Sequence, residues 1–229
     1  MLSNQAEAAA THQVTSHPPM EQVVRFRRVT EFTDKAQDGF MRTFQHAFAD
    51  GPYFEMTPFE DCLRMWAKHV PHCLWVAECE FCDNHVVGLG CAHSLQEDTY
   101  PLHPTIHDTL KANESDLPFD WHNAVYMAEL AVLSTHRGAK LGKSLINLRL
   151  QWARAQGMSH YIMRTAEFDS KSAVIYEKKF GGVITPFKQN VAGVVGEIES
   201  SSTSRIYICG ETSPDAHEEW KMPFTVTSW

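Results

Sequence analysis

The sequence predicts an α/β domain of the α+β kind, and three observations carry that prediction. Tyr126 to Gly157 reads as an apolar run, a basic glycine turn and an amphipathic segment in direct succession. Tyr161 to Gly181 follows with a second strand-then-helix pattern. Ahead of both, hydrophobicity with the periods of strand and helix gives one strand, two helices and two further strands.

Taken in order, Val23 to Val29 is the first strand. Glu31 to Asp50 is a helix with Phe32, Ala36, Phe40, Phe44 and Phe48 along one face. A second helix is expected near Pro58 to His69, then strands from Leu74 to Glu80 and from His85 to Leu95 around a turn at Asp83-Asn84. Gln96 to Asn123 is a long insertion rich in His, Asp and Pro, expected to be an acceptor-side lid or irregular loop. Tyr126 to Leu133 is nearly continuous in apolar residues, as in a strand buried on both faces, and its single charge is Glu129. After His136-Arg137-Gly138-Ala139-Lys140-Leu141-Gly142-Lys143, helical spacing runs through Leu145, Leu148, Trp152 and Ala155 to Gly157. Tyr161 to Ala166 is the next strand and Asp169 to Gly181 the last helix, with Val183 to Phe187 and Arg205 to Gly210 as the final strands.

Residues 1–20 read as a disordered tail, residues 21–211 as one domain containing the 96–123 insertion, and residues 212–229 as a C-terminal tail. Gln189 to Ser204, ending in a serine-rich run, is expected to be mobile. The tail keeps Trp220, Met222, Phe224, Val226 and Trp229, so it is expected to dock on the domain or on a second subunit of a homodimer. No internal repeat is evident.

A formal charge of −8 and a pI near 5.9 over 229 residues argue against a nucleic-acid surface, which needs clustered Lys and Arg. The same balance leans toward a cationic amine as partner. No run approaches the roughly 20 apolar residues that span a bilayer. The first twenty residues lack the basic start and apolar core of a secretory signal, so the chain reads as cytoplasmic with no membrane partner. Six cysteines in that compartment are read as thiols rather than a disulfide framework. His69-x-x-His72 ahead of Cys79-x-x-Cys82 has a spacing that can close a tetrahedral zinc site, but buried cysteine ordinarily behaves as a small hydrophobe, and no metal is expected.

The strand, glycine turn and helix around Gly138 form an anion site. A helix that starts just after a strand presents unpaired N–H groups and the positive end of its dipole. Arg137, Lys140 and Lys143 add charge, while Gly138 and Gly142 allow a ligand close to the backbone. Only Gly142-Lys143-Ser144 of a P-loop is present, which disfavours ATP hydrolysis, and no dinucleotide fingerprint opens the domain.

Leu130-Ala131-Val132 followed by Arg137-Gly138-Ala139-Lys140-Leu141-Gly142 resembles the acyl-CoA pyrophosphate motif of the GNAT superfamily of N-acyltransferases. Ile175-Tyr176-Glu177-Lys178-Lys179-Phe180-Gly181 resembles the end of that family's closing helix. The resemblance implies the GNAT fold: a central mixed, mostly antiparallel sheet of about seven strands flanked by helices and splayed between strands 4 and 5. It also implies acetyl-CoA as cosubstrate, held by Leu130, Ala131 and Val132 through the backbone and by Arg137 to Lys143 at the diphosphate. Two positions depart from the pattern. Lys140 replaces the usual middle glycine, and Asp169 stands where an asparagine commonly opens the last helix, as a helix N-cap or a cofactor contact.

Transfer of an acyl group to an amine needs a base for the amine, a donor for the developing oxyanion and an acid for the thiolate. Tyr176 matches the family tyrosine that protonates the CoA sulfur; its competing role is core packing among Val174, Ile175 and Phe180. Glu129 is the candidate base, or else the ion-pair partner of Arg164 on the adjacent strand. His122 is a further candidate. The implied activity is acetyl transfer to a primary amine of a small molecule or peptide. Transfer of a longer chain from CoA or a carrier protein, and a non-catalytic acyl-CoA-binding module, are the alternatives.

Overall fold

Alternation along the strands decides which side chain meets which helix, and with it where the molecule opens. A computed structural model of the chain describes residues 24–49, 57–83, 85–95, 104–168, 170–190, 194–195, 198–199, 204–213 and 226–227. Its strands are β1 (Val24–Val29), β2 (Cys73–Cys79), β3 (His85–Ser94), β4 (Ala124–Met127), β5 (Leu130–Val132), β6 (His160–Ala166), β7 (Val183–Asn190), β8 (Val194–Val195), β9 (Ile198–Glu199), β10 (Ser204–Glu211) and β11 (Val226–Thr227). The helices are α1 (Asp34–Ala49), α2 (Phe59–His69), α3 (Pro104–Ala112), α4 (Leu141–Ala155) and α5 (Lys171–Lys179).

Nine strands make one sheet in the order β11-β1-β2-β3-β4-β6-β10-β7, with β5 beside β3. The β1/β11 and β4/β6 pairs are parallel and the other pairs in this sheet antiparallel. Val24, Phe26, Cys73, Trp75 and Ala77 face the side covered by α4, where Leu141, Leu145 and Leu148 meet them. Leu74, Val76, Leu89 and Cys91 face the opposite side, against Phe40, Phe44 and Phe48 of α1 and Trp66 of α2. On β6 and β10, Tyr161, Met163, Ile206 and Ile208 join the α4 and α5 side, whereas Ile162, Tyr207 and Cys209 pack under Ile106 and Leu110 of α3.

The predicted Tyr126 to Leu133 strand is two strands. On β3, Gly90 pairs with Leu130 and His93 with Tyr126, so Cys91 and Ala92 stand opposite Met127, Ala128 and Glu129. That extra residue is a β-bulge, which bends the strand and leaves one residue unpaired. β4 pairs with β6 as far as Met127 opposite Met163, and beyond the bulge β5 pairs with β3 alone. The sheet therefore splays between β5 and β6, the strands that stand where the family's strands 4 and 5 part.

Four expectations need correction. Phe32 is not on the buried face of α1; it precedes the helix and is 63 % exposed. The insertion is not wholly irregular, because α3 starts with Pro104 at its first helical position and buries Ile106 and Leu110 against the sheet. The last two long strands run further than expected, because Gln189 and Asn190 end β7 and Ser204 opens β10, and the described residues between them include the β8/β9 pair. The cap of α5 is Ser170, whose Oγ accepts from Ala173 N at 3.1 Å, rather than Asp169, which lies outside the described residues. In the tail, β11 pairs Val226 with Phe26 and Thr227 with Arg27, and Trp220, Met222, Phe224 and Trp229 lie outside the described residues.

Candidate active site

The loop from β5 to α4 is shaped by two backbone turns. Gly138 takes φ +87°, and Lys140, at the N-cap of α4, takes φ 64° and ψ 8°. A left-handed non-glycine residue costs roughly 1 kcal/mol or more, so Lys140 keeps a geometry that the usual glycine would adopt freely. The first bond of the helix is Ser144 N to Lys140 O at 3.2 Å, which leaves the N–H groups of Leu141 and Gly142 without acceptors inside the helix. A Cβ built on Gly138 or Gly142 meets nothing within 4 Å, so the approach to these amides is open. Ala139 and Lys140 are exposed and Lys143 is half-buried on the same turn. Arg137 instead turns back on the protein, with Nε donating to Val132 O at 3.1 Å and Nη2 to Ala47 O at 3.3 Å.

β5 presents one backbone edge to the splay. Leu133 N donates to Val87 O and Cys91 N to Glu129 O, so alternate residues from Glu129 to Leu133 direct their bonds to β3. By the two-residue period, Leu130 and Val132 direct N–H and C=O the other way. Ala131 is buried and its neighbours are half-buried.

Beneath the bulge lies Arg149, fully buried on α4. Its Nη1 donates to Cys91 O at 3.0 Å and Glu129 O at 3.2 Å, Nε to Leu145 O at 3.2 Å, and Nη2 to Tyr176 Oη at 3.1 Å. The guanidinium passes over Gly90 of β3, where a Cβ would sit 3.1 Å from Nε. Tyr176 is 1 % exposed, and burial pushes its hydroxyl up while the Arg149 charge and hydrogen bond work against that shift. Sequence reasoning missed Arg149. Its signal was a charge on the buried Leu141, Leu145 stripe, together with glycines inside a strand that mark a close approach.

A cleft of about 730 Å³ opens between α2 and the splay. Phe44, Phe48 and Met65 give it apolar wall, and Asp61, Arg64, Lys68, Glu129, Arg164 and Arg205 line it with charge. Leu130, Thr165 and Ser172 connect it to β5, β6 and α5. Arg164 Nη1 donates to Gln189 Oε1 at 2.8 Å. Burial pushes the Lys68 ammonium down, and the Glu129 carboxylate works against that shift. Lys68 of α2 is thus a cation near Glu129 that the sequence reading did not name, beside Arg164, which lines the same cleft. Tyr176 lies behind the lining, and neither His122, which is exposed, nor any other described residue of the insertion reaches the cleft.

The profile of the Acetyltransferase (GNAT) family matches residues 34–181. The chain belongs to that family. No curated protein sequence matches this GNAT protein. Among solved structures it is similar to an N-acetyltransferase from Staphylococcus aureus Mu50, with 10 % identity, 83 % of this chain and 99 % of that one covered, and a TM-score of 0.58. Ard1 from Thermoplasma volcanium aligns at 16 % identity over 82 % and 97 % of the two chains with a TM-score of 0.52. An IAA acetyltransferase from Bacillus cereus ATCC 14579 aligns at 15 % identity over 82 % and 99 % with a TM-score of 0.51. At these identities the likeness establishes the GNAT fold.

The remaining candidates fall elsewhere in the GNAT protein. His69 and His72 lie on the α2 side, with ring centroids 6.4 and 6.3 Å from His93, and do not join Cys79 and Cys82. The six cysteines are free thiols, five of them buried, with Cys82 half-buried. Among the described residues, no helix is long and apolar enough to cross a membrane.

Proposed function

We propose that this GNAT protein moves an acetyl group from acetyl-CoA to a primary amine of a small molecule or peptide by direct transfer. The observation that carries the reading is the open amide cradle at Gly138 and Gly142, set beside the free-running edge of β5 and the mouth of the splay. In that reading the N–H groups from Gly138 to Lys143 and the Lys140 and Lys143 ammonium groups bind the diphosphate, with Ala139 and Leu141 contributing backbone. Leu130 and Val132 pair with the pantetheine amides, and Arg137 releases Val132 O to them. Ala131 keeps that edge aligned by its pairing with Leu89. Asp169 is retained as a candidate contact on the family resemblance alone.

In the reaction a nitrogen–carbon bond forms, the carbon–sulfur bond breaks, the amine loses a proton and the thiolate gains one. Glu129, at the bulge and lining the cleft, takes the amine proton directly or through water. The Leu130 N–H, on the outward edge, polarises the thioester carbonyl. Tyr176 accepts from Arg149 and so keeps its own proton for the thiolate, and the guanidinium stabilises the phenolate that results. Four cationic side chains and two carboxylates line the cleft, which favours an amine acceptor that also bears an anionic group. The charged lining also favours a short acyl group over a long chain.

Calorimetric titration with acetyl-CoA, followed by a free-thiol release screen over amines with and without a carboxylate, tests the reading. Saturable binding and amine-dependent thiol release are expected. Heat that fails to saturate sinks the cofactor site, and binding without thiol release across the panel leaves the acyl-CoA-binding module as the better reading.

A further inference from the structure

Beyond the cleft, the tip of the β2/β3 hairpin folds against the first turn of the CoA loop and brings three soft ligands together. Cys79 ends β2, and Cys82 follows after one 3-10 turn, Glu80–Cys82. Asp83, at φ 52°, closes that turn in the left-handed region. Cys82 lies within hydrogen-bonding reach of Cys79. His136 follows β5, where Val132 and then Leu133 run beside Gly88 and Val87 near the tip of the same hairpin. The two sulfurs and a ring nitrogen of His136 all lie within 4.8 Å of one another. Two Zn–S bonds of about 2.3 Å at a tetrahedral angle place their sulfurs about 3.8 Å apart, so closing round an ion takes a movement of about 1 Å or less.

The imidazole supplies the independent observation. His136 is 9 % exposed, and its Nε2 is buried with no hydrogen-bond partner. Its Nδ1 lies 2.8 Å from Thr135 Oγ1. A proton on Nδ1 donated to that hydroxyl leaves the Nε2 lone pair directed inward, the arrangement by which a second-shell acceptor orients a metal-bound histidine. The large majority of buried polar side-chain atoms have a hydrogen-bond partner, and His136 Nε2 has none.

We propose that Cys79, Cys82 and His136 bind a zinc-class divalent ion, which ties the β2/β3 hairpin to the start of the CoA loop. Binding releases two thiol protons, the two thiolates and the neutral imidazole take three tetrahedral positions, and water takes the fourth at the half-buried Cys82 side. This set is not the His69, His72, Cys79 and Cys82 tetrad that the spacing offers, because the fold carries both of those histidines to His93. The site is independent of the acyltransferase reading, since the ion touches neither the amide cradle nor the cleft.

The test is a Co(II) titration of the reduced, chelator-stripped full chain, without CoA. A thiolate-to-cobalt charge-transfer band that saturates at one ion per chain, with tetrahedral visible bands displaced by zinc, is expected. Zinc loading should also remove two thiols from reaction with a thiol reagent. C79S, C82S and H136A should each lose the saturating band, and C62S and C209S should keep it. Circular dichroism of the metal-free variants checks that each is folded, and C82S, altered at the half-buried position, keeps the test decisive if C79S fails to fold. A missing band, an undiminished band in folded C82S, or loss of two thiols without metal uptake, as in a Cys79–Cys82 disulfide, would overturn the proposal.

Discussion

Arg149 Nη2 donates to Tyr176 Oη across 3.1 Å, and both side chains are buried to within 1 % of full enclosure. The bond joins α4 to α5 beneath the bulge, because the same guanidinium also serves Cys91 O and Glu129 O. Removal of Arg149 strands the Cys91 carbonyl and the Tyr176 hydroxyl, while Glu129 O keeps its bond from Cys91 N. At about 1–3 kcal/mol for each buried group left unsatisfied, Arg149→Met is expected to destabilise the protein by roughly 3 kcal/mol or more, read by urea unfolding. A change under 1 kcal/mol would show that the network contributes little.

Tyr176→Phe removes the proposed acid and leaves the ring packing in place. A fall of about 10²-fold or more in kcat is expected, with KM for acetyl-CoA little changed. An unaltered rate across pH would place the acid elsewhere and return Tyr176 to the core.

Glu129→Gln separates a base from a structural charge. As base, Glu129 matters most where the amine is protonated, so the variant should be slowest at neutral pH and recover toward the amine pKa of about 10. A uniform loss at every pH would instead assign Glu129 to holding Lys68 and the cleft wall.

Gly142→Asp tests the loop by making stability and affinity move in opposite directions. The new carboxylate sits in the first turn of α4, in open space, where an acidic group stabilises a helix by about 0.3–1 kcal/mol. It would also repel a diphosphate at the same amides. Thermal stability equal to or above the parent, with at least tenfold weaker CoA binding by calorimetry, is expected. Unchanged affinity would mean the diphosphate lies elsewhere.

His69 and His93 set the acid limb of stability. Burial pushes His69 well down and His93 to about 3. Both stay neutral in the fold while the unfolded chain takes protons below pH 6.5. Their contribution is therefore complete above that value and is lost as pH falls toward the folded pKa, with a slope of up to about 1.4 kcal/mol per pH unit for each. Urea unfolding between pH 7 and pH 5 reads it, and His93→Gln should flatten the curve. An equally steep curve in that variant would remove His93 from the account.

How much of this was legible follows from the range of each interaction. Leu130 to Lys143 carries its strand, glycine turn and helix within one short window, so periodicity and the two glycines located the loop. The bulge at Ala128-Glu129 could not be read there, because its register is set by Gly90 and His93 on a strand far earlier in the chain. Arg149 continued the Leu141 and Leu145 stripe, but a charge on an apolar face shows its meaning only when its acceptors are known. The helix from Pro104 had a readable start and an Ile106, Leu110 pair, and the His, Asp and Pro composition around it obscured both. His136 was read as part of a basic turn, and only the hairpin's return brings it to Cys79 and Cys82.

The two-residue contact of Val226 and Thr227 with Phe26 and Arg27 covers the outer rim of the sheet. A strand at such a rim is a template for another chain unless something shields it. Cutting the chain after Ser213 would bare the hydrogen-bonding row of β1 and invite intermolecular strand addition. Affinity handles for purification are accordingly better placed at the other terminus.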